Sequence, residues 1–291
     1  MSKQNFHQRM NHWLDQKEEQ AALIPLIREI REDHPNMSAR VMYQKIRPQT
    51  MGRDKFEAFC FEHGFKVVCP KNYRKTTDSS GVEHFPNLIE GLEITGVNQV
   101  FVSDITYYEM NGRFYYLTLI MDVYNREIVG HSASDNLRTK STSLPALQMV
   151  VNTIGPDPLK GAIFHSDGGG QYYAQEFLKL TSRLEMRNSM AEEVFENSHS
   201  ERLNGIIKND YLIGYGPQTL PELRRDLDRA AYHYNTGKPH GSLNGQTPAE
   251  YRRSNSGKIL KIKQKNKPVE IENNSPSYFP TSTVHHQHQY V

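Results

Sequence analysis

Three aspartates lie within or at the end of segments that are predicted to be β-strands, where apolar side chains are expected. Asp104 interrupts the strand-like run VSDITYY, and Asp122 ends the next such run. Asp167 follows the apolar run AIFHS and precedes three glycines. A carboxylate in a half-buried sheet costs free energy unless it is paired or used. Any one of the three could simply cap a turn, so each alone indicates little.

A fourth carboxylate belongs to a predicted helix over residues 196–212. One face of this helix is apolar. Another face carries a carboxylate, an amide and an ammonium group in one line, namely Glu201, Asn204 and Lys208, which are spaced by three and four residues. The same spacing also suits an exposed polar stripe.

Taken together, the carboxylates indicate a metal site. Hard cations such as magnesium take oxygen ligands, and phosphodiester displacement is well served by two such ions, one on the attacking and one on the leaving oxygen. Two aspartates on adjacent strands and a helical glutamate could supply the shared ligands. The residues alone therefore predict a site of the metal-dependent nuclease kind.

The elements that would position these residues follow the order of a ribonuclease-H-like α/β domain. Three β-rich segments at 99–109, 113–123 and 126–134 predict antiparallel strands, with the turn Asn111-Gly112 between the first two. Further helices and strands then alternate, which predicts a mixed five-stranded sheet covered by helices. The predicted segments are helix 139–154, strand 161–166, helix 174–184, strand 185–190, and helices near 196–212 and 220–235.

The N-terminal part of the chain predicts a small all-α domain. Three short helices, at 21–33, from Ser38 to about 47, and at 53–63, resemble a helix-turn-helix unit. We expect Arg40, Arg53 and Lys55 to contact DNA there, although a bundle that only packs on its neighbour is the alternative. The expected divisions are an extension over 1–20, the helical domain over 21–67, a linker over 68–95, the core over 96–252 and a tail over 253–291.

Charge is unevenly distributed along the chain. Residues 1–75 carry 14 basic and 9 acidic residues, residues 95–251 carry 14 and 18, and residues 252–268 carry seven basic and no acidic residues. Basic flanks favour a polyanionic partner such as DNA, although solvated surface charge is equally consistent with them. The tail could be a strand on DNA or a disordered basic arm, and we expect disorder. For His285, His286 and His288 the alternatives are metal binding and a disordered polar tail, and we expect disorder there as well.

Composition restricts the cellular setting. No run of 18 apolar residues occurs, so no membrane span is expected. The N-terminus lacks a secretory signal, and the two cysteines, Cys60 and Cys69, form no metal-ligand spacing. These features predict a cytoplasmic protein.

Four sequence blocks closely resemble the integrase-core transposases of the bacterial IS-three family of insertion sequences, the second-reading-frame product. The blocks are VSDITYYEMNGRFYYLTLIMDVYNREIVG (102–130), HSDGGGQY (165–172), ENSHSERLNGIIKNDY (196–211) and YNTGKPHGSLNGQTPAEY (234–251). Two N-terminal segments, 34–46 and 52–56, look like the family's helix-turn-helix. The resemblance covers about residues 20–252.

This resemblance implies specific roles. Asp104, Asp167 and Glu201 would be the DDE triad that coordinates two magnesium ions, with manganese as a substitute. Lys208 would contact DNA near the scissile phosphate, and His165 and Asn204 would line the site and its DNA. Asp122 belongs to a family motif without being part of the triad, so it is expected to support the sheet.

The resemblance also implies partners. These are the insertion-sequence ends and target DNA as duplexes, a protein from the upstream reading frame, and further copies of the chain on DNA, in a nucleoid-associated setting. The alternatives are another ribonuclease-H-like nuclease and a catalytically inactive, transposase-derived DNA-binding protein.

The chain departs from the family pattern at a few positions. Only 33 residues separate Asp167 from Glu201, slightly fewer than usual. Gly168, Glu196 and Lys238 replace residues that are common in the family. These departures affect the expected DNA contacts rather than the expected chemistry.

Overall fold

The computed structural model describes residues 2–67, 85–191, 198–254 and 260–261. The N-terminal part is helical, with α1 (Lys3–Asp33), α2 (Ala39–Ile46) and α3 (Arg53–Glu62). The first helix begins far earlier than the predicted residue 21. Its N-terminal half carries Phe6, Met10, Trp13 and Leu14 at helical spacing, a pattern that the prediction did not use. Ser38 caps α2 as expected, since its side chain accepts a hydrogen bond from the Val41 amide.

The three N-terminal helices enclose a small core of their own. Leu23 and Ile27 of α1 pack with Met42 of α2 and Phe56 of α3. All four side chains are almost fully buried. This packing gives the helical domain an apolar centre that is independent of the sheet.

The central sheet has five strands in the order β4-β3-β2-β5-β6. The first three strands are antiparallel neighbours, whereas β5 and β6 run parallel to β2. This mixed sheet confirms the predicted ribonuclease-H-like fold. Its strands are β2 (Val100–Met110), β3 (Arg113–Asp122), β4 (Ile128–Ser134), β5 (Ile163–Ser166) and β6 (Arg187–Met190).

Helices cover both faces of the sheet. α4 and α6 bury one face, and α7, α9 and the segment between them bury the other. The helix expected over 196–212 is α-helical only to Ile206 and continues as a π-helical turn over Ile207–Leu212. The helices after β4 are α4 (Ser143–Ile154), α5 (Gly170–Tyr173), α6 (Gln175–Arg183), α7 (Ser198–Ile206), α8 (Ile213–Tyr215), α9 (Leu220–Gly237) and α10 (Pro248–Ser254).

The N-terminal domain docks on the core through the turn after α1. The backbone amide of Asn36 donates to the Asp210 carbonyl at 3.0 Å, and its side-chain Nδ2 donates to the Asn209 carbonyl at 2.8 Å. Asn36 thus bonds two successive carbonyls of the π-helical turn. We name this contact region, with His34, Tyr211 and Lys238, the docking interface.

Parts of the predicted linker and tail are outside the described residues. They are 68–84, 255–259 and 262–291, so the proposals for Cys69 and the tail histidines are untested. In the remainder, β1 (Glu93–Ile94) pairs antiparallel with β7 (Leu260–Lys261). At these two tail positions the structure therefore has a strand where we expected disorder. Within the described residues, no helix is long and apolar enough to cross a membrane.

Candidate active site

Asp104 lies on β2, the central strand of the sheet, with its side chain toward α7. Alternation along β2 explains this, because Val102 packs into the core on the α7 side whereas Phe101 packs into the opposite one. The Asn204 side chain of α7 donates from Nδ2 to Asp104 Oδ2 at 2.7 Å. This bond crosses from sheet to helix and fixes the orientation of the carboxylate.

Asp167 reaches the same place from the neighbouring strand. β2 and β5 are in parallel register, with Ser103 opposite Ser166, so Asp104 and Asp167 each follow that pair by one residue. Asp167 Oδ1 accepts a hydrogen bond from the Gly169 amide at 3.2 Å. A Cβ at Gly169 would lie 3.0 Å from that same oxygen, so the glycine leaves room for the carboxylate.

The third predicted ligand, Glu201, lies in the first turn of α7, and its side chain is exposed. Lys208 follows in the π-helical turn and donates from Nζ to Thr106 Oγ1 at 2.8 Å. Thr106 is two residues after Asp104 on β2 and therefore on the same face of the strand. Sequence reasoning missed Thr106, although its alternation with Asp104 was a usable signal.

Like charges dominate the electrostatics of this site. Burial raises the pKa of Asp104 to about 7, and the negative charges of Asp167 and Glu201 add to the effect, while Lys208 opposes it. Burial also raises the pKa of Asp167 and lowers that of Lys208. The carboxylates therefore sense one another. Among the described residues, however, no three His, Cys, Asp or Glu side chains are already close enough to hold a metal ion.

Two predicted site residues are too buried to face DNA. His165 has no exposed surface, and its Nδ1 lies 2.9 Å from Ser189 Oγ of β6. Asn204 is only 4% exposed and holds Asp104. In this conformation both residues support the site from beneath instead of presenting a surface to DNA.

The cations predicted to bind DNA in the helical domain are partly neutralised. Arg40 Nε lies 3.2 Å from Glu57 Oε1, and an Arg53 guanidinium nitrogen lies 2.8 Å from Asp54 Oδ1. Lys55 is exposed. The structure leaves their role in DNA binding untested.

Asp122 is buried at the end of β3 and caps the chain around it. Its carboxylate accepts hydrogen bonds from the amides of Tyr124 at 2.9 Å and Asn98 at 2.6 Å. Burial raises its pKa to about 6, and these amides oppose the rise. The contacts agree with the predicted role in supporting the sheet.

Two profiles of the integrase core domain match the chain, one over residues 95–193 and the other over residues 183–248. Together with the sheet order and the acidic face, these matches define a protein of the ribonuclease-H-like integrase class. More particularly, the chain belongs to the integrase core family, within the DDE superfamily that includes insertion-sequence transposases.

Curated relatives include several insertion-element proteins. The chain is 29% identical over 69% of its length to the insertion element IS600 uncharacterized 31 kDa protein of Shigella sonnei, and the match covers 75% of that protein. It is 26% identical over 62% of its length to the putative transposase InsK for IS150 of Escherichia coli, covering 64% of it. Transposase InsF for IS3A of the same species is also 26% identical, over 64% of each chain.

Solved retroviral structures are also similar. The HTLV-2 integrase catalytic core domain in complex with magnesium matches with a TM-score of 0.44 at 21% identity, over 57% of this chain and all of that one. A chain of the simian T-cell lymphotropic virus intasome matches with a TM-score of 0.49 at 19% identity, over 65% of each chain. The fold assignment rests on the sheet order described above.

Proposed function

We propose that the chain is a DDE-type transposase that cuts and rejoins DNA strands at the ends of an insertion sequence. The observation that carries this proposal is the buried Asp104 on the central strand, whose pKa is raised to about 7 by burial and further by the charges of Asp167 and Glu201. A buried carboxyl perturbed in this way beside other carboxylates is typical of functional sites.

The residues at this place suit divalent magnesium, for which manganese could substitute. Asp104, Asp167 and Glu201 would hold two ions, and their oxygen donors are the kind that magnesium prefers. Asn204 Oδ1 is buried and has no hydrogen-bond partner among the described atoms, so a further oxygen is available beside Asp104. When bound, the two ions would supply charge stabilisation for phosphodiester exchange.

The protein's own side chains would orient the reacting groups. Asn204 holds one oxygen of Asp104 in place through its 2.7 Å bond. Lys208, anchored on Thr106 and half-buried, would place a positive charge beside the scissile phosphate. Water would be the nucleophile for the first cut and a freed 3′-hydroxyl for joining, so no Ser, Tyr or Cys is assigned a covalent role.

The same proposal includes partners and domains. The helical domain over 21–67 would bind insertion-sequence ends, the core over 96–252 would carry the chemistry, and the tail over 253–291 would contact phosphates. Copies of the chain would assemble on DNA together with the protein from the upstream reading frame.

A cleavage assay tests this function. The substrate is a labelled duplex that carries the terminal sequences flanking the gene. We expect nicking and joining with magnesium, binding with little cleavage with calcium, and no cleavage in EDTA. A covalent protein–DNA adduct, or full activity in EDTA, would overturn the proposal. Binding without cleavage under every metal condition would favour an inactive transposase-derived DNA-binding protein.

A further inference from the structure

A polar groove of about 720 Å³ separates the helical domain from the C-terminal part of the core. Its walls are the end of α2, the chain after α9, and α10. Apart from Pro239, no aliphatic or aromatic side chain lines it in the described part of the chain. The side chains that the groove offers to a ligand are therefore mainly polar or charged.

Three exposed cations line the groove, and each is held by a main-chain carbonyl. Lys45 Nζ donates to the Gly237 carbonyl at 2.9 Å, Arg47 Nε to Gln44 at 3.2 Å, and Arg253 Nε to Ala249 at 3.2 Å. Among the described residues none of the three forms an ion pair with a carboxylate. The side chains are thus oriented while their charge stays available.

One carboxylate, Glu250, is found among the lining residues, and its charge interacts with those of Arg253 and Lys45. Its Oε2 accepts a hydrogen bond from the Thr247 amide at 2.8 Å, which caps the start of α10. The groove therefore keeps a net positive charge. By contrast, Arg40 and Arg53 on the helical domain are paired with Glu57 and Asp54.

We propose that this groove binds the phosphate backbone of duplex DNA at a place separate from the acidic site. Arginine guanidinium groups match phosphate oxygens in geometry and charge, and amide side chains of Gln44 and Asn244 add donors to the same walls. The chain also continues from α10 into a stretch with seven basic and no acidic residues over 252–268. The inference builds on the proposed function, because it assigns where that function holds its DNA outside the cutting site.

Matched charge removals test the groove. The groove variant is Arg47→Gln with Arg253→Gln, and the control is Lys140→Gln with Lys160→Gln, which removes the same charge from two exposed, ion-paired lysines of the core. Binding to labelled duplex DNA is measured by fluorescence anisotropy across a salt series in EDTA. Each lost phosphate contact reduces the slope of log affinity against log salt by roughly 1. We expect a reduction of about 2 for the groove variant and clearly less for the control.

A conservative pair separates charge from folding. Arg47→Lys with Arg253→Lys keeps both charges, so it is expected to retain most of the salt slope, and all variants are checked by thermal unfolding. Equal losses in the groove and control variants, or wild-type binding by the groove variant, would overturn the proposal. The proposal would also be overturned if the same substitutions weakened binding of an acidic peptide but not binding of DNA.

The DNA cleavage assay distinguishes a failure of the groove proposal from a failure of the transposase proposal. Cleavage by wild type with normal binding by the groove variant would reject the groove alone. Loss of binding in the groove variant, with no cleavage by wild type under any metal condition, would reject the transposase proposal and support the groove.

Discussion

Two buried polar regions lie on consecutive turns of the same helical segment and differ in how their charges are matched. In the docking interface, Lys238 Nζ lies 2.7 Å from Asp210 Oδ2, and Asn36 satisfies the two neighbouring carbonyls. In the candidate active site, Asp104 is surrounded by like charge from Asp167 and Glu201. In the first region the Lys238–Asp210 pair matches opposite charges, whereas in the second a single cation, Lys208, opposes the three carboxylates.

The difference distinguishes polar groups that stabilise the fold from polar groups that are proposed to carry out the function. Buried polar groups in native proteins are normally hydrogen-bonded, and an exception needs an explanation. The docking interface needs none, because its bonds hold the helical domain against the core. The neighbouring carboxylates disfavour the charged form of Asp104, which supports their proposed role as ligands of a cation. Substitutions in the two regions should therefore have opposite consequences.

The largest expected effect is on cleavage, in the acidic region. Asp104→Asn, Asp167→Asn and Glu201→Gln nearly conserve volume and remove one anionic ligand each, so we expect DNA cleavage to fall by orders of magnitude. The free energy of unfolding should stay unchanged or rise, because repulsion is removed. Cleavage rates and chemical denaturation are measured on the same variants.

Two further variants test whether the loss of cleavage is specific to these carboxylates and whether they act as a unit. Asp157→Asn, at a carboxylate whose side chain is 90% exposed, should alter neither property. A double variant, Asp104→Asn with Glu201→Gln, should be hardly worse than either single one, because residues that act as a unit are not additive. Additive losses would argue against one shared site.

The acidic site shows where sequence reasoning succeeds and where it ends. β-Branched and aromatic runs around the Asn111-Gly112 turn predict the strands, and the structure has both turn residues at positive φ. The bond from Asn204 to Asp104 spans 100 residues of sequence, so no local pattern predicts it. Whether the three carboxylates meet depends on tertiary packing and on the cation itself.

The docking interface was harder to predict from sequence. A helix over 196–212 was predicted as regular, because its apolar positions repeat at α-helical spacing. The π-helical turn over Ile207–Leu212 depends on carbonyls that bond Asn36, more than 170 residues away. The early start of α1 at Lys3 was missed for a different reason, since its apolar stripe of Phe6, Met10, Trp13 and Leu14 is exposed and lies within a mainly polar segment.

The second effect is on stability, in the docking interface. Lys238→Met leaves Asp210 without its partner, and breaking a largely buried ion pair costs about 2–4 kcal/mol. The free energy of unfolding is measured by urea denaturation. Lys238→Met with Asp210→Leu should recover much of the loss, because no uncompensated charge remains. If the double variant were as unstable as the single one, packing rather than charge would explain the interface.

The third effect is the pH dependence of stability that His34 contributes in the docking interface. Burial, together with the positive charges of Lys45, His233 and Lys238, lowers the pKa of His34 to about 3, while Asp33 opposes this. The unfolded chain takes up this proton near pH 6.5, and the folded chain only near pH 3. Stability should therefore be complete above pH 6.5 and fall as the pH drops, by about 1.4 kcal/mol per pH unit for one group.

Urea denaturation between pH 7 and pH 5 measures this slope. His199 and His240, whose pKa values burial lowers to about 4 and about 3, add to the slope in the same direction. The raised pKa values of Asp104, about 7, and Asp122, about 6, act in the opposite direction. The contribution of His34 is therefore obtained as the difference between wild type and His34→Gln, which should have a shallower slope than the wild type. Identical slopes would mean that folding does not lower the pKa of His34.

The smallest expected effect is on cleavage, and it tests whether the docking interface positions the active site. Asn36→Ala removes one side-chain bond to the π-helical turn, which costs about 1 kcal/mol. Lys208 lies in this turn, so its loosening should reach the site without removing any group from it. We expect faster hydrogen exchange of the amides over 207–212 and a modest fall in kcat at unchanged KM for DNA. Gln148→Ala loses a comparable bond to Asn152 on α4, behind the sheet, and should change neither quantity. If Asn36→Ala lowered stability alone, the two regions would be neighbours on one helical segment with no mechanical connection.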